Sequence, residues 1–244
     1  MTSQPKSEGP AKGTLLIVGG IVTPVTASIA TELGGMRWVI IPTAKGPGNY
    51  EGYQEGGLNL QKPTVLHAPD RATADAEEFV APLKEATAVW FSGGRQFRLV
   101  DIYKGTKTET ELRAVLERGG LIGGTSAGAT IQGSYLLRGA PSEDNRILSY
   151  TGYEEAFAYI SNTAIDQHVT ERRREYDLAC VVARYPNLLG IGIDERAAVL
   201  VQQNIMAVID NRVLITDGAF HNGRPFYALQ TNDRFDLATW TKTT

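Results

Sequence analysis

The stretch Leu121-Ile122-Gly123-Gly124-Thr125-Ser126-Ala127-Gly128-Ala129 constrains the fold more than any other, because a buried apolar run ends there on a serine held between glycines. G-x-S-x-G after a strand is the pattern of a nucleophile elbow. The serine sits on a strained strand-to-helix turn, and the flanking Gly124 and Gly128 remove side chains that would clash across it. Its hydroxyl projects at the top of a sheet, beside the first amides of a helix, which are unpaired donors at the positive end of the helix dipole. The amide of Ala127 is thereby placed to stabilise an oxyanion. The plainer alternative is a glycine-rich strand-to-helix turn with an incidental serine.

The rest of the chain reads as the α/β surroundings such an elbow needs. Short apolar runs alternate with helical patterns, the signature of a parallel sheet flanked by helices. Leu15-Leu16-Ile17-Val18 runs into Gly19-Gly20, and Trp38-Val39-Ile40-Ile41 runs into Pro42-Thr43. Thr64 to His67 and Ala88 to Phe91 are further strands, with a glycine-rich stretch from Gly46 to Gly57 and a helix over 72–83 between them. Thr108 followed by Glu111 predicts a capping box opening the helix that leads to the elbow strand. Downstream, Thr163 to Asp166 and Leu188 to Asp194 read as strands, and Arg173 to Tyr185 as a helix. From Ala197 onward the apolar periods shorten to those of antiparallel strands or hairpins.

With 244 residues, 42% of them hydrophobic, one domain over 13–244 is expected, after a polar, proline-containing tail over 1–12 that reads as disordered. A net charge of -3 gives no footprint for nucleic acid. The single cysteine, Cys180, lies in an apolar run and is expected to be a buried thiol, in keeping with a reducing compartment. No signal peptide and no run of roughly 18 apolar residues is present, so a cytoplasmic, non-membrane protein is expected.

A serine nucleophile needs a base, and the chain has only three histidines, His67, His168 and His221. His168 closes an apolar strand, where strand ends open into the crevice of an α/β sheet, and is the expected base. The base in turn needs an orienting carboxylate. Glu143, Asp144, Glu154, Glu155 and Asp166 lie between the serine and the histidine. The second oxyanion donor is expected from the turn Ser92-Gly93-Gly94-Arg95-Gln96, directly after an apolar strand, while Arg172 and Arg174 have the chemistry to clamp a substrate carboxylate. Three scattered histidines and one cysteine give no zinc spacing, and Gly19-Gly20-Ile21-Val22-Thr23-Pro24 breaks the dinucleotide pattern.

Gly93-Gly94-Arg95-Gln96, Gly124-Thr125-Ser126-Ala127-Gly128-Ala129, Asp166-Gln167-His168 and Leu189 to Glu195, in this order, resemble the motifs of the cyanophycinase and dipeptidase E family of serine peptidases. The resemblance runs from about Leu15 to the closing Asn232 to Leu237. It implies a three-layer α/β/α fold with a mainly parallel central sheet, related to class I glutamine amidotransferases, and a hydrolase with no metal or organic cofactor, often dimeric. It assigns Ser126 as nucleophile, His168 as base, and the amides of Gly94 and Ala127 as oxyanion hole. Gln96, Asp166, Gln167, Arg172 and Arg174 correspond to pocket-lining residues. The triad acid of that family aligns best with Glu143, with Asp144 and Glu155 as alternatives. Three positions depart from the pattern: Arg95 replaces the aspartate of G-G-D-Q, Gly20-Ile21-Val22-Thr23 replaces G-G-A-E-D-K, and Asp177 falls near a pocket arginine.

The expected activity is exopeptidase cleavage of aspartyl or β-aspartyl-arginine bonds, with the polymer cyanophycin as the leading substrate. A dipeptidase for α-aspartyl or other acidic peptides and a catalytically silent binding member are the alternatives. A glutamine amidotransferase is disfavoured because Cys180 is not at the elbow.

Overall fold

Thr14–Val18 (β1) is buried at all five residues, with Leu15 and Ile17 in one apolar cluster and Leu16 and Val18 in another. A strand buried on both faces requires a layer on each side. The computed structural model describes residues 6–141 and 146–243. After β1 come Pro24–Gly34 (α1), Trp38–Ile41 (β2), Thr64–Val65 (β3), Arg71–Ala74 (α2), Glu77–Glu85 (α3), Ala88–Phe91 (β4), Phe97–Tyr103 (α4) and Lys107–Glu117 (α5). Leu121–Thr125 (β5), Ala127–Thr130 (α6), Thr163–Gln167 (β6), Asp177–Arg184 (α7) and Leu189–Ile193 (β7) follow. The chain closes with Ala198–Gln202 (β8), Ile205–Asp210 (β9), Arg212–Thr216 (β10), Tyr227–Gln230 (β11), Arg234–Asp236 (β12) and Thr241–Thr243 (β13).

The large sheet has the order β13-β12-β9-β8-β1-β5-β4-β2-β3. Its β1-β5-β4-β2-β3 half is parallel, and β8, β9, β12 and β13 extend it antiparallel. One face packs Val39, Val89 and Ile122 against Leu83 of α3 and Leu112 and Val115 of α5. The other packs Leu16, Ile40 and Trp90 against Ala30 of α1 and against Leu58 and Leu60 of the glycine-rich segment. The result is the expected α/β fold on a large central sheet, parallel through β1-β5-β4-β2-β3 and mixed as a whole. The later strands do not all join it. β6 and β7 pair with each other in parallel and with β10 and β11 in a second sheet, whose Ile165, Ile191 and Ile215 reach the first cluster.

Several local expectations are corrected. Residues 6–9, expected to be disordered, are tied down: Lys6 and Ser7 donate their N–H groups to Ala238 and Leu237, Gly9 donates to Asn204 Oδ1, and Ser7 is fully buried. The helix expected over 72–83 is broken into α2 and α3, with Asp70 capping the first by accepting from the Thr73 N–H. Thr108 does not cap; α5 begins at Lys107 behind Thr106, and the buried Thr108 hydroxyl donates across to the Ala74 carbonyl at 2.6 Å. A tertiary hydrogen bond has taken the hydroxyl from its local role. The helix expected from Arg173 starts at Asp177, and Cys180 on it is exposed rather than buried, because α7 turns Leu178, Val181 and Val182 inward. No helix among the described residues is long and apolar enough to cross a membrane.

Candidate active site

Ser126 has φ 54° and ψ −110°, the sparsely populated backbone region in which a non-glycine residue is strained. Two glycines make this turn possible. A Cβ at Gly124 would stand 2.6 Å from the Gly128 carbonyl oxygen, and one at Gly128 would stand 2.2 Å from that of Phe91. The G-x-S-x-G spacing is therefore an interlock between the end of β5, the start of α6 and the neighbouring β4. α6 is a single turn, so its contribution to an anion is the N–H of Ala127, its first residue, which has no acceptor among the described residues, more than a macrodipole.

The structure brings the predicted base to the serine. His168 stands one residue past β6, with φ 53°, and its Nε2 lies 3.1 Å from Ser126 Oγ. Its Nδ1 lies 3.0 Å from Glu195 Oε1. Both ring nitrogens are thus engaged, one by the hydroxyl and one by a carboxylate. The carboxylate comes from the second sheet: β6 and β7 are parallel neighbours, so the residues that follow them emerge side by side. The turn that carries Glu195 is tied to the large sheet, since Ile21 donates to the Glu195 carbonyl at 2.7 Å and Gly19 to that of Ala197. Gly20 lies directly against the pair; a Cβ there would be 2.3 Å from His168 Cε1 and 2.9 Å from Glu195 Cγ. Buried Asp194 fixes the backbone beyond the histidine by accepting from the Thr170 N–H and hydroxyl and from Arg212.

Glu143 and Asp144 lie outside the described residues, and Glu155 forms a surface ion pair with Lys104. Glu195, at the end of the Leu189 to Glu195 motif, is the carboxylate that sequence reasoning does not single out. The signal for it was the order of strands: the next parallel partner after the histidine strand ends two residues before a glutamate.

Gly93 and Gly94 flank the serine from the end of β4. A Cβ at Gly93 would be 3.3 Å from Ser126 Cβ, and Gly94, at φ 142°, approaches the Ala44 carbonyl so closely that a Cβ would stand 2.2 Å from its oxygen. Among the described residues the Gly94 N–H donates to no protein acceptor.

The expected pocket residues divide. Asp166 is fully buried and bonded to Arg138, whose Nη2 reaches Asp166 Oδ2 at 3.0 Å and Asp177 Oδ2 at 2.5 Å. Arg174 is also buried, 3.7 Å from Asp166 and donating to the Gln167 carbonyl. Asp166 and Arg174 are therefore paired with protein, whereas Arg172 is exposed and makes no ion pair among the described residues. Gln96 donates to the Leu137 carbonyl at 2.6 Å. Gln167 Oε1 is buried without a partner among the described residues. His67 and His221 lie elsewhere, bonded to Thr43 and Asp217. Among the described residues no group of His, Cys, Asp or Glu is placed to hold a metal ion.

Burial lowers the His168 pKa below its ordinary 6.5, helped by the positive charges of Arg172 and Arg174 and opposed by Glu195. The imidazole is thereby kept neutral and able to accept a proton near neutral pH.

The model of peptidase family S51 matches residues 20–209. Cyanophycinases of Synechococcus elongatus and Thermosynechococcus vestitus are each 30% identical to this chain over 196 residues, 75% of it and 61% of the relative. The chain thus spans about 61% of the length of these relatives. A solved peptidase from an acI-B1 actinobacterium superposes with a TM-score of 0.74 at 25% identity, over 93% of this chain and 98% of the other. A putative peptidase E protein from Listeria monocytogenes shares the fold, with a TM-score of 0.54 at 19% identity over 78% and 95% of the two chains.

Proposed function

This chain belongs to peptidase family S51, and from that premise we propose that it is a serine peptidase whose triad is Ser126, His168 and Glu195. The observation that carries the reading is the pair of contacts at 3.1 and 3.0 Å on the two nitrogens of one imidazole. In the first step Ser126 Oγ attacks the scissile carbonyl while His168 Nε2 takes its proton. The oxyanion forms against the N–H groups of Ala127 and Gly94. His168 then gives the proton to the leaving amine, and water, deprotonated by the same nitrogen, releases the acyl group and regenerates the serine. Glu195 holds the Nδ1–H tautomer and stabilises the imidazolium while it lasts. Glu195 takes the place that the family resemblance suggested for Glu143.

The substrate reading is cleavage of aspartyl or β-aspartyl-arginine bonds, cyanophycin being the polymer that best fits the cyanophycinase relatives. What supports it here is the exposed Arg172 beside the base, without an ion pair among the described residues and a cation suited to a substrate carboxylate. Incubation with cyanophycin, β-Asp-Arg and α-aspartyl dipeptides, followed by mass analysis, tests it. Release of Asp-Arg dipeptides from the polymer is expected. Cleavage of α-aspartyl dipeptides alone would move the assignment to a dipeptidase. No turnover, with no labelling of Ser126 by a serine-directed phosphonate, would leave a silent binding member.

The base predicts a pH dependence whose sign is fixed. Only neutral imidazole accepts the serine proton, so activity rises with pH through the His168 pKa, and the acid limb lies below 6.5. Arg172→Ala removes a charge that lowers this pKa and is expected to move the limb upward. Glu195→Gln removes a charge that raises it and moves the limb downward. The rate of Ser126 labelling by an uncharged phosphonate, followed against pH, reads both shifts without substrate binding.

A further inference from the structure

The oxyanion turn has a weakness built into its composition. Gly93 and Gly94 are consecutive glycines, the residues with the most backbone freedom, at the place where one N–H must keep a fixed direction. The chain pins them from both ends. Behind them, the Arg95 N–H donates to the Ala44 carbonyl at 2.7 Å. Ahead of them, the Ser92 N–H donates to the Ile41 carbonyl, and the fully buried Ser92 hydroxyl donates to Glu55 Oε2 at 2.5 Å.

Glu55 belongs to the glycine-rich stretch from Gly46 to Gly57, for which the catalytic steps above have no use. Its side chain is largely buried, makes no ion pair among the described residues, and accepts a second hydrogen bond from the Tyr53 hydroxyl at 3.1 Å. Its two hydrogen-bond donors are hydroxyls, with the Lys45 ammonium acting on it through space; a buried carboxylate is costly unless its hydrogen bonds are good, and a hydroxyl donating to a carboxylate makes one of the short, strong kind. Two residues further on, Gly57 approaches the other side of the site. A Cβ there would be 2.7 Å from the Val22 carbonyl oxygen, and Leu58 and Leu60 pack with Val22, Val18 and Trp90. Val22 follows Gly20, the residue against which His168 and Glu195 rest. In the large sheet β1 and β4 are the two neighbours of β5, which carries the serine. One segment therefore touches the turns that follow both flanking strands.

We propose that Glu55 is a positioning residue for the oxyanion turn, acting through Ser92 from a segment that braces the two turns on either side of Ser126. The proposal rests on the serine-peptidase reading. A carboxylate that holds Ser92 holds the direction of the Gly93-Gly94 peptides, and so acts on the transition state without touching substrate.

Phosphonate labelling of Ser126 and steady-state kinetics, with thermal melts alongside, test it. Glu55→Ala is expected to slow labelling and lower kcat by about 10-fold to 100-fold, with KM little changed. The upper limit is the effect of losing an oxyanion donor outright, about 10²–10³. Glu55→Gln keeps an acceptor for the Ser92 hydroxyl and should recover most of the loss. Ser92→Ala should reproduce the Glu55→Ala effect, and the double variant should be no worse than either. Ser92→Ala is also the smaller change and keeps the test open if Glu55→Ala does not fold. Variants that melt as wild type and label at the wild-type rate overturn the proposal, as does a rise in KM with kcat intact. Failure of the wild-type protein itself to label would instead overturn the serine-nucleophile reading.

Discussion

Replacing Ser126 by alanine is expected to lower kcat by roughly 10⁶, and replacing His168, alone or together with Ser126, by about the same factor, because nucleophile and base act as one unit. The 3.1 Å contact between them is the physical basis of that equality, since a serine whose proton has no acceptor attacks no better than one that is absent. Glu195→Ala should cost less, on the order of 10⁴, the orienting carboxylate being needed for tautomer and charge but not for bond formation. Glu143→Ala is the informative comparison. If Glu195 holds the imidazole, the Glu143 variant keeps nearly all its activity. A 10⁴-fold loss at Glu143 with a mild loss at Glu195 would return the acid to Glu143. Rates on the substrate found by mass analysis, with a melting curve for each variant, decide it.

The elbow was legible because its causes are local. Gly124 faces the Gly128 backbone four residues on, so the spacing marks the turn, while the approach of Gly128 to Phe91 on β4 is the part that only the fold shows. His168 was legible for a related reason, as a polar residue closing an apolar strand. Glu195 was not assigned because the choice among carboxylates depends on which strands are neighbours, and the split of β6 and β7 into a second sheet is a tertiary fact. Arg138 was missed on the same ground: it follows the elbow by a dozen residues and finds its partners, Asp166 and Asp177, across the fold. The start of α7 was misplaced because the backbone over 168–176 folds into successive turns, Arg172 donating to His168 and Arg174 to Val169, and is anchored to Asp194 through Thr170 before the helix begins at Asp177. Cys180 is a different kind of miss. Its apolar neighbours suggested burial, but helical periodicity puts Leu178, Val181 and Val182 on one face and leaves the thiol on the other.

Arg138→Ala is expected to destabilise the fold by about 3–5 kcal/mol, the range for removing one partner of a buried ion pair. Asp166 is fully buried, and two of its hydrogen bonds come from this guanidinium, while Arg174 stands off at 3.7 Å and cannot replace them. Asp177→Asn should cost far less, because its side chain is 36% exposed and water can take over its hydrogen bonds. Denaturant unfolding of the two variants separates these outcomes, and a loss below about 1 kcal/mol for Arg138→Ala would show that the cluster is not held as described. The same cluster bears on specificity. Asp177, where the related enzymes' pattern has an arginine, is bound here by Arg138, and among the described residues Asp166 lies within ion-pair distance of both Arg138 and Arg174. Arg172, exposed beside the base, makes no ion pair among the described residues. If Arg138→Ala retains enough structure to assay, it should therefore weaken acidic substrates through a rise in KM as Asp177, freed of its partner, repels them.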